Sequence, residues 1–138
     1  MKRVTGIGGI FFKSKDPKAT TAWYSKHLGF TVADDGGVLF ETKNPGTGKT
    51  AYTVWSPFKE TTEYFKPSEK QFMFNFRVEN LEALLEELKK EGVQVVGEIE
   101  EYSYGKFGWI VDPEGNKIEL WEPVDSEFTK LYKGKTIY

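Results

Sequence analysis

Residues 71–78 alternate without a break: Phe72, Phe74, Phe76 and Val78 on one side, Gln71, Met73, Asn75 and Arg77 on the other. A period of two marks a strand with one packed face. The period then changes. Leu81, Leu84, Leu85 and Leu88 recur at helical spacing, Asn80 stands where a helix needs a capping acceptor, and Gly92 supplies a stop. Glu82, Glu86 and Glu87 lead and Lys89 and Lys90 trail, the order a helix dipole favours. The apolar strand face should pack on the leucine stripe. That leaves Met73, Asn75 and Arg77 facing solvent or a cavity. A second alternating stretch flanks the turn at 112–116. Pairing Val111 with Lys117 sets Trp109 opposite Glu119 and Phe107 opposite Trp121, while Gly108, Ile110, Ile118 and Leu120 form a helix-facing set. A slip of one residue would reverse both faces.

The first half of the chain repeats this plan. Asp16 is the expected cap of a first helix, with Pro17 at its first position, Ala19, Ala22 and Trp23 as an apolar stripe, and Gly29 at its end. Phe12 to Asp16 reads against Phe76 to Asn80, and Thr53-Val54-Trp55-Ser56-Pro57 against Glu119-Leu120-Trp121-Glu122-Pro123. The offset is 64 residues at the helix caps and 66 at the closing strands. Two copies of one strand–helix–strands unit follow, at residues 4–57 and 70–123. With a tail at 124–138 they make one domain over 1–138.

Composition narrows the chemistry. The 138 residues contain no cysteine, which removes disulfide scaffolds, zinc–cysteine modules and thiol nucleophiles. Nineteen basic and 21 acidic residues give a net charge of -2, too balanced for a nucleic-acid or anionic-membrane binder. The opening Met1-Lys2-Arg3 and Gly6 to Phe12 read as a first strand, not a secretory signal, since no small-residue cleavage site follows. No stretch approaches the ~20 apolar residues of a membrane span, so a cytoplasmic protein is expected. His27, the single histidine, falls in the last turn of the first helix, where it suits the exposed carbonyls. Gly46-Thr47-Gly48-Lys49-Thr50 imitates the end of a phosphate loop, but a strand follows where that loop needs a helix. It reads as a hairpin turn.

The segments Lys15-Asp16-Pro17 through Trp23-Tyr24 to Leu28-Gly29-Phe30, and above all Gly108-Trp109-Ile110-Val111-Asp112-Pro113-Glu114-Gly115-Asn116-Lys117-Ile118-Glu119-Leu120-Trp121, resemble the vicinal oxygen chelate superfamily, the glyoxalase/bleomycin-resistance/dioxygenase fold. The resemblance covers about residues 4–123. It implies an α+β fold of tandem βαβββ units, an open curved sheet with a concave pocket, and a homodimer. Similar enzymes hold a divalent metal with two side chains from each unit, and the repeat carries those positions onto Gly9, Thr53, Met73 and Glu119. Only Glu119 is a competent ligand for a hard divalent ion. The expectation is therefore a small-molecule-binding protein that needs no metal or other cofactor. The alternatives are a metal-dependent lyase, isomerase or dioxygenase recruiting Glu41, Glu98 or Glu101, and a dimeric scaffold with a vestigial pocket.

Glu119 is the best candidate for a catalytic group. It could act as a general base, anchor a cation, or form an internal ion pair with Arg77. The expected ligand pocket comprises Glu119, Trp121, Trp109, Phe107, Arg77, Asn75, Met73, Thr53 and Trp55. Phe11, Phe12, Phe40, Phe72, Phe74 and Phe76 are expected in the core. The tail from Ser126, with Phe128, Leu131 and Tyr132, suits a short docking helix or a dimer contact.

Overall fold

A computed structural model describes residues 2–44 and 47–137. Chain order is β1 (Val4–Ser14), α1 (Pro17–Leu28), β2 (Val38–Lys43), β3 (Thr50–Lys59), β4 (Phe72–Val78), α2 (Leu81–Lys90), β5 (Gln94–Tyr102), β6 (Gly105–Val111), β7 (Lys117–Pro123), α3 (Asp125–Leu131) and β8 (Thr136–Ile137). Both long helices start as the sequence indicates: Asp16 accepts from the Ala19 N–H and Asn80 from the Ala83 N–H. Gly29 at φ +72° ends α1. The described part of the 44–48 turn closes through Gly48 N–H to Asn44 O at 2.7 Å; Pro45 and Gly46 lie outside the described residues.

The strands form one open, curved sheet in the order β5-β6-β7-β4-β1-β3-β2-β8. Its centre is the antiparallel β1–β4 pair, with Gly9 opposite Asn75, Ile10 opposite Phe74 and Phe11 opposite Met73. Outside it, β3 runs parallel to β1 and β7 parallel to β4. The β6–β7 register is the expected one, Trp109 to Glu119 and Phe107 to Trp121. The chain thus has the duplicated α+β architecture read from its repeat. The first unit, however, forms only two strands after its helix. Residues 30–37 instead make a turn, held by Gly36 N–H to Ala33 O and Ala33 N–H to Gly37 O, with Gly36 at φ +90°. The vacant outer position is filled by β8, which pairs with β2 at Leu39–Thr136 and Phe40–Ile137.

Both helices lie on the convex face. Val78, Leu81, Leu84, Leu85 and Leu120 form one buried cluster there, with Phe76, Leu88, Ile110 and Ile118 packed around it. Beneath α1, Tyr24, Phe30, Phe12 and Trp55 make edge and tilted ring contacts at 4.6–5.2 Å. Two expectations change here. The face of α1 turned to the sheet carries Pro17, Thr20, Thr21 and Tyr24, whereas Ala19, Ala22 and Trp23 are exposed. Thr20 tolerates this position because its hydroxyl meets that of Ser14 at 2.7 Å. The leucines of α2 reach Phe76 but not Phe72 and Phe74, which stay 36% and 42% exposed in the gap between the helices.

The tail folds back onto its own chain. Phe128 of α3 is buried with Tyr52, Leu39 and Trp121, its ring 5.1 Å from that of Trp121. Asp125 forms a 2.5 Å ion pair with buried Arg77. A Phe128→Ala exchange should cost about 3 kcal/mol, the usual penalty for emptying such a site. Urea unfolding should show a lower midpoint with an unchanged slope. An unchanged midpoint would mean that α3 lies outside the cooperative unit.

Candidate functional site

On the concave face the parallel register sets Asn75 of β4 beside Glu119 of β7, and the antiparallel register sets Trp109 of β6 on the other side of Glu119. Three neighbouring strands thereby aim three side chains at one point. Asn75 Nδ2 donates to Glu119 Oε1 at 2.5 Å and Trp109 Nε1 donates to Oε2 at 2.9 Å. The connection between β3 and β4 adds the Tyr64 hydroxyl, which also donates to Oε2. Glu119 is only 2% exposed. Burial pushes its pKa above the ordinary carboxylate range, against the pull of the three donors and of Lys117. Burial, then the charge of Glu119, pushes the Tyr64 hydroxyl well up, so it stays protonated and donates. Lys117 sits behind this group. Its Nζ donates to Tyr64 O at 2.7 Å and lies 5.1 and 5.5 Å from the Tyr64 and Trp109 ring centroids.

Glu119 and Asn75 stand at the floor of a concave cavity of about 530 Å³. Its walls include Phe11, Val54, Ser56 and Phe58 from the first unit, Phe107 and Trp121 from the second, and Phe128 and Tyr132 from the tail. Phe107 and Trp121 lie face to face at 5.8 Å and 6°. Gly8, beside a bulge in β1, lets Asn75 reach its place: a Cβ there would overlap Asn75 Oδ1 and stand 2.9 Å from Trp121 Cε3.

Of the residues singled out in the sequence, Glu119, Asn75, Phe107 and Trp121 line the cavity. Trp109 supports it from beneath, and Met73 packs with Phe11, Phe65 and Trp109 below the floor. Arg77 does not pair with Glu119. It lies level with Trp121, 5.2 Å from that ring, and donates to Tyr52 O and Asp125 instead. Thr53 and Trp55 belong to the convex face, since Val54 and Ser56 are the residues of β3 that line the cavity and neighbours in a strand alternate. Among the contributors that escaped sequence reading, three are polar. Tyr64 lies in an aperiodic connection, Ser56 is displaced by a unit offset that differs between strands, and Asp35 sits in the turn that replaces a strand.

The sequence profile of the Glyoxalase/Bleomycin resistance protein/Dioxygenase superfamily matches residues 6–120. The chain belongs to that superfamily. No curated protein sequence matches it significantly. Among solved structures, methylmalonyl-CoA epimerase from Mycobacterium tuberculosis is 21% identical, with 94% of this chain and 95% of that one covered and a TM-score of 0.58. A variant of Streptomyces coelicolor methylmalonyl-CoA epimerase in complex with 2-nitronate-propionyl-CoA is 16% identical, over 88% and 99% of the chains, with a TM-score of 0.62. A superfamily member from Vibrio splendidus 12B01 gives 16%, 88% and 99%, and 0.53. At these identities the likeness concerns the fold.

The residues present do not fit the superfamily's divalent ion. Gly9 has no side chain, Met73 offers a thioether, and the Thr53 hydroxyl donates to Ile7 O at 3.0 Å on the far face. The structural counterpart of Glu119 is Ser56: Phe11 pairs with Ser56 as Asn75 pairs with Glu119, and Phe11 and Asn75 are 64 residues apart, like the two helix caps. A serine hydroxyl is again a weak ligand. Among the described residues no group of three or more His, Cys, Asp or Glu side chains stands close enough to hold a metal, so Glu41, Glu98 and Glu101 do not complete a site.

Two measurements check this geometry. Gly8→Ala should destabilise the protein by about 1–3 kcal/mol, as overpacking does, and should shift the Trp109 indole N–H resonance. Glu119 binds its proton more tightly folded than unfolded, so its stabilising contribution is full below the unfolded carboxylate pKa and lost as pH rises through the folded value. Wild type should therefore lose melting temperature relative to Glu119→Gln as pH rises above the ordinary carboxylate range. A pH-independent difference would contradict the assignment.

Proposed function

We propose that this superfamily member binds a small molecule in its concave cavity without a metal ion, with Glu119 as the polar anchor. The supporting observation is the convergence of Asn75, Trp109 and Tyr64 on Glu119, where relatives in the superfamily place an ion. These donors do for the carboxylate what a cation would: they offset its desolvation and fix both oxygens. An ionised carboxylate offers about four acceptor positions. Three are engaged, which leaves roughly one for a ligand. That arrangement suits a fixed anchor better than a freely moving base. The aromatic walls supply the apolar contact that usually orients a small ligand, and the cavity volume falls within the range of ordinary ligand pockets.

Protein purified without added metal should contain far less than one equivalent of Ni, Fe, Mn or Zn. A fragment panel of cationic, anionic and neutral rings should yield binders that raise the melting temperature. A ligand at 100 times its Kd adds ~2.7 kcal/mol. Stoichiometric metal that Glu119→Ala removes, or the absence of any binder that perturbs the Trp121 indole, would overturn the reading.

A second copy of the chain is the partner proposed for the convex face. Ile7, Ile10, Phe72 and Phe74 are 54%, 39%, 36% and 42% exposed, and strand pairing puts all four on one face across the internal two-fold. A patch spread over both related strands is self-complementary, as an isologous dimer requires. Light scattering should give a dimer mass, and Phe74→Glu, at an exposed site, should give a folded monomer. A monomeric wild type would refute the dimer.

A further inference from the structure

The superfamily allows ligands of any charge, and the lining of this cavity discriminates among them. Its charged side chains are both carboxylates: Glu119 at depth and Asp35 at the rim. Among the described residues no lysine, arginine or histidine lines it. The two nearest basic groups are committed elsewhere. Arg77 lies under Trp121 and pairs with Asp125. Lys117 points away, to the carbonyl of Tyr64. Beneath the floor the Asn75 carbonyl oxygen, turned against Gly8 and without a hydrogen-bond partner, adds another negative dipole end. Around these acceptors stand the rings of Phe58, Tyr64, Tyr104, Phe107, Trp121 and Phe128.

From this lining we infer that the ligand is an organic cation, an ammonium or related nitrogen cation carried on an aryl-sized apolar group. The inference rests on the binding role proposed above and deepens it. An anionic ligand would enter a cavity with two carboxylates and no base to answer it. A neutral ring would use the walls and leave the acceptors unanswered. A cation uses all three elements: its N–H or N–CH groups meet Glu119, its charge faces aromatic π-systems, and its apolar part fills the remaining volume. Asp35 fits this arrangement at the entrance. Its Oδ1 accepts from Gly37 N–H and its Oδ2 from the Tyr132 hydroxyl, so its charge is held at the rim.

Three size-matched probes decide the point: phenethylammonium, 2-phenylethanol and 3-phenylpropionate, titrated by calorimetry and tryptophan fluorescence. The ammonium should bind on the order of tenfold tighter than the alcohol, and the carboxylate weakest. Glu119→Gln should abolish the preference for the ammonium over the alcohol. Asp35→Asn, at an exposed position that spares the buried network, should reduce the preference in part. Ammonium affinity should rise with pH as Glu119 ionises, with proton release on binding at the acid end. The charged and titratable groups bearing on that site are Lys117, Tyr64, Tyr104, Glu100 and Asp35, with the Arg77–Asp125 pair behind Trp121. Equal or tighter binding of the alcohol or the carboxylate, or a preference that survives both substitutions, overturns the charge assignment and leaves the binding role standing. If none of the three probes binds at low millimolar concentration, the binding role fails with it.

Discussion

A carboxylate taken almost wholly out of water is the constraint around which this molecule is arranged. Burying an unpaired charge costs several kcal/mol even after relaxation. Three donors to Glu119 offset part of this, each hydrogen bond to a charged group being worth about 1.5–3 kcal/mol, but burial prevails and the pKa stays raised. The donors come from β4, β6 and the long connection after β3, so the carboxylate also ties that connection to the second unit. Other features follow from that need. A glycine stands at position 8 because Asn75 must pass close to the β1 backbone. Lys117 lies beneath Tyr64 and Trp109, where its charge favours the ionised carboxylate without occupying the cavity.

The duplicated plan explains where the cavity is; the departures from it explain what the cavity contains. Two related units pairing through β1 and β4 curve the sheet around a central hollow. Strict symmetry would give equivalent groups on both sides, yet Glu119 and Asn75 face Ser56 and Phe11. All the strong polarity of the floor therefore comes from the second unit, while the first contributes rings and a hydroxyl. A similar asymmetry governs the rim. The first unit lacks its outermost strand, the tail supplies β8 in its place, and the same tail brings Phe128 and Tyr132 to the cavity wall. The tail thus repairs the sheet edge and shapes the site.

Legibility in the sequence followed the strength of the local signal. The β6–β7 register could be read because only one pairing puts Ile110, Ile118 and Leu120 together toward a helix. That register alone brings Trp109 to Glu119. The caps at Asp16 and Asn80 were equally plain. Aligning Thr53 with Glu119 was less secure, since the strands of the two units are joined by turns of different length. The parallel register instead relates Glu119 to Ser56, and Trp55 moves to the convex face. Pairing Arg77 with Glu119 was reasonable from charge alone, but it omitted Asp125, which only the fold of the tail brings near. Tyr64 had no periodic context at all. A side chain held by an aperiodic connection is placed by tertiary structure, and no pattern along the chain announces it.

Replacing an ion by hydrogen-bond donors changes what a site of this shape can recognise. A bound divalent cation presents positive charge to the ligand and so selects oxygen-rich, anionic molecules. Donors contributed by Asn75, Trp109 and Tyr64 stabilise the carboxylate just as locally, yet they carry no net charge. In the proposed metal-free site the charges lining the hollow are those of Glu119 and Asp35. With the walls built from aromatic faces, whose quadrupole is also negative toward the ring normal, every element of the lining contributes in the same direction. The cation preference proposed for this cavity follows from that common direction.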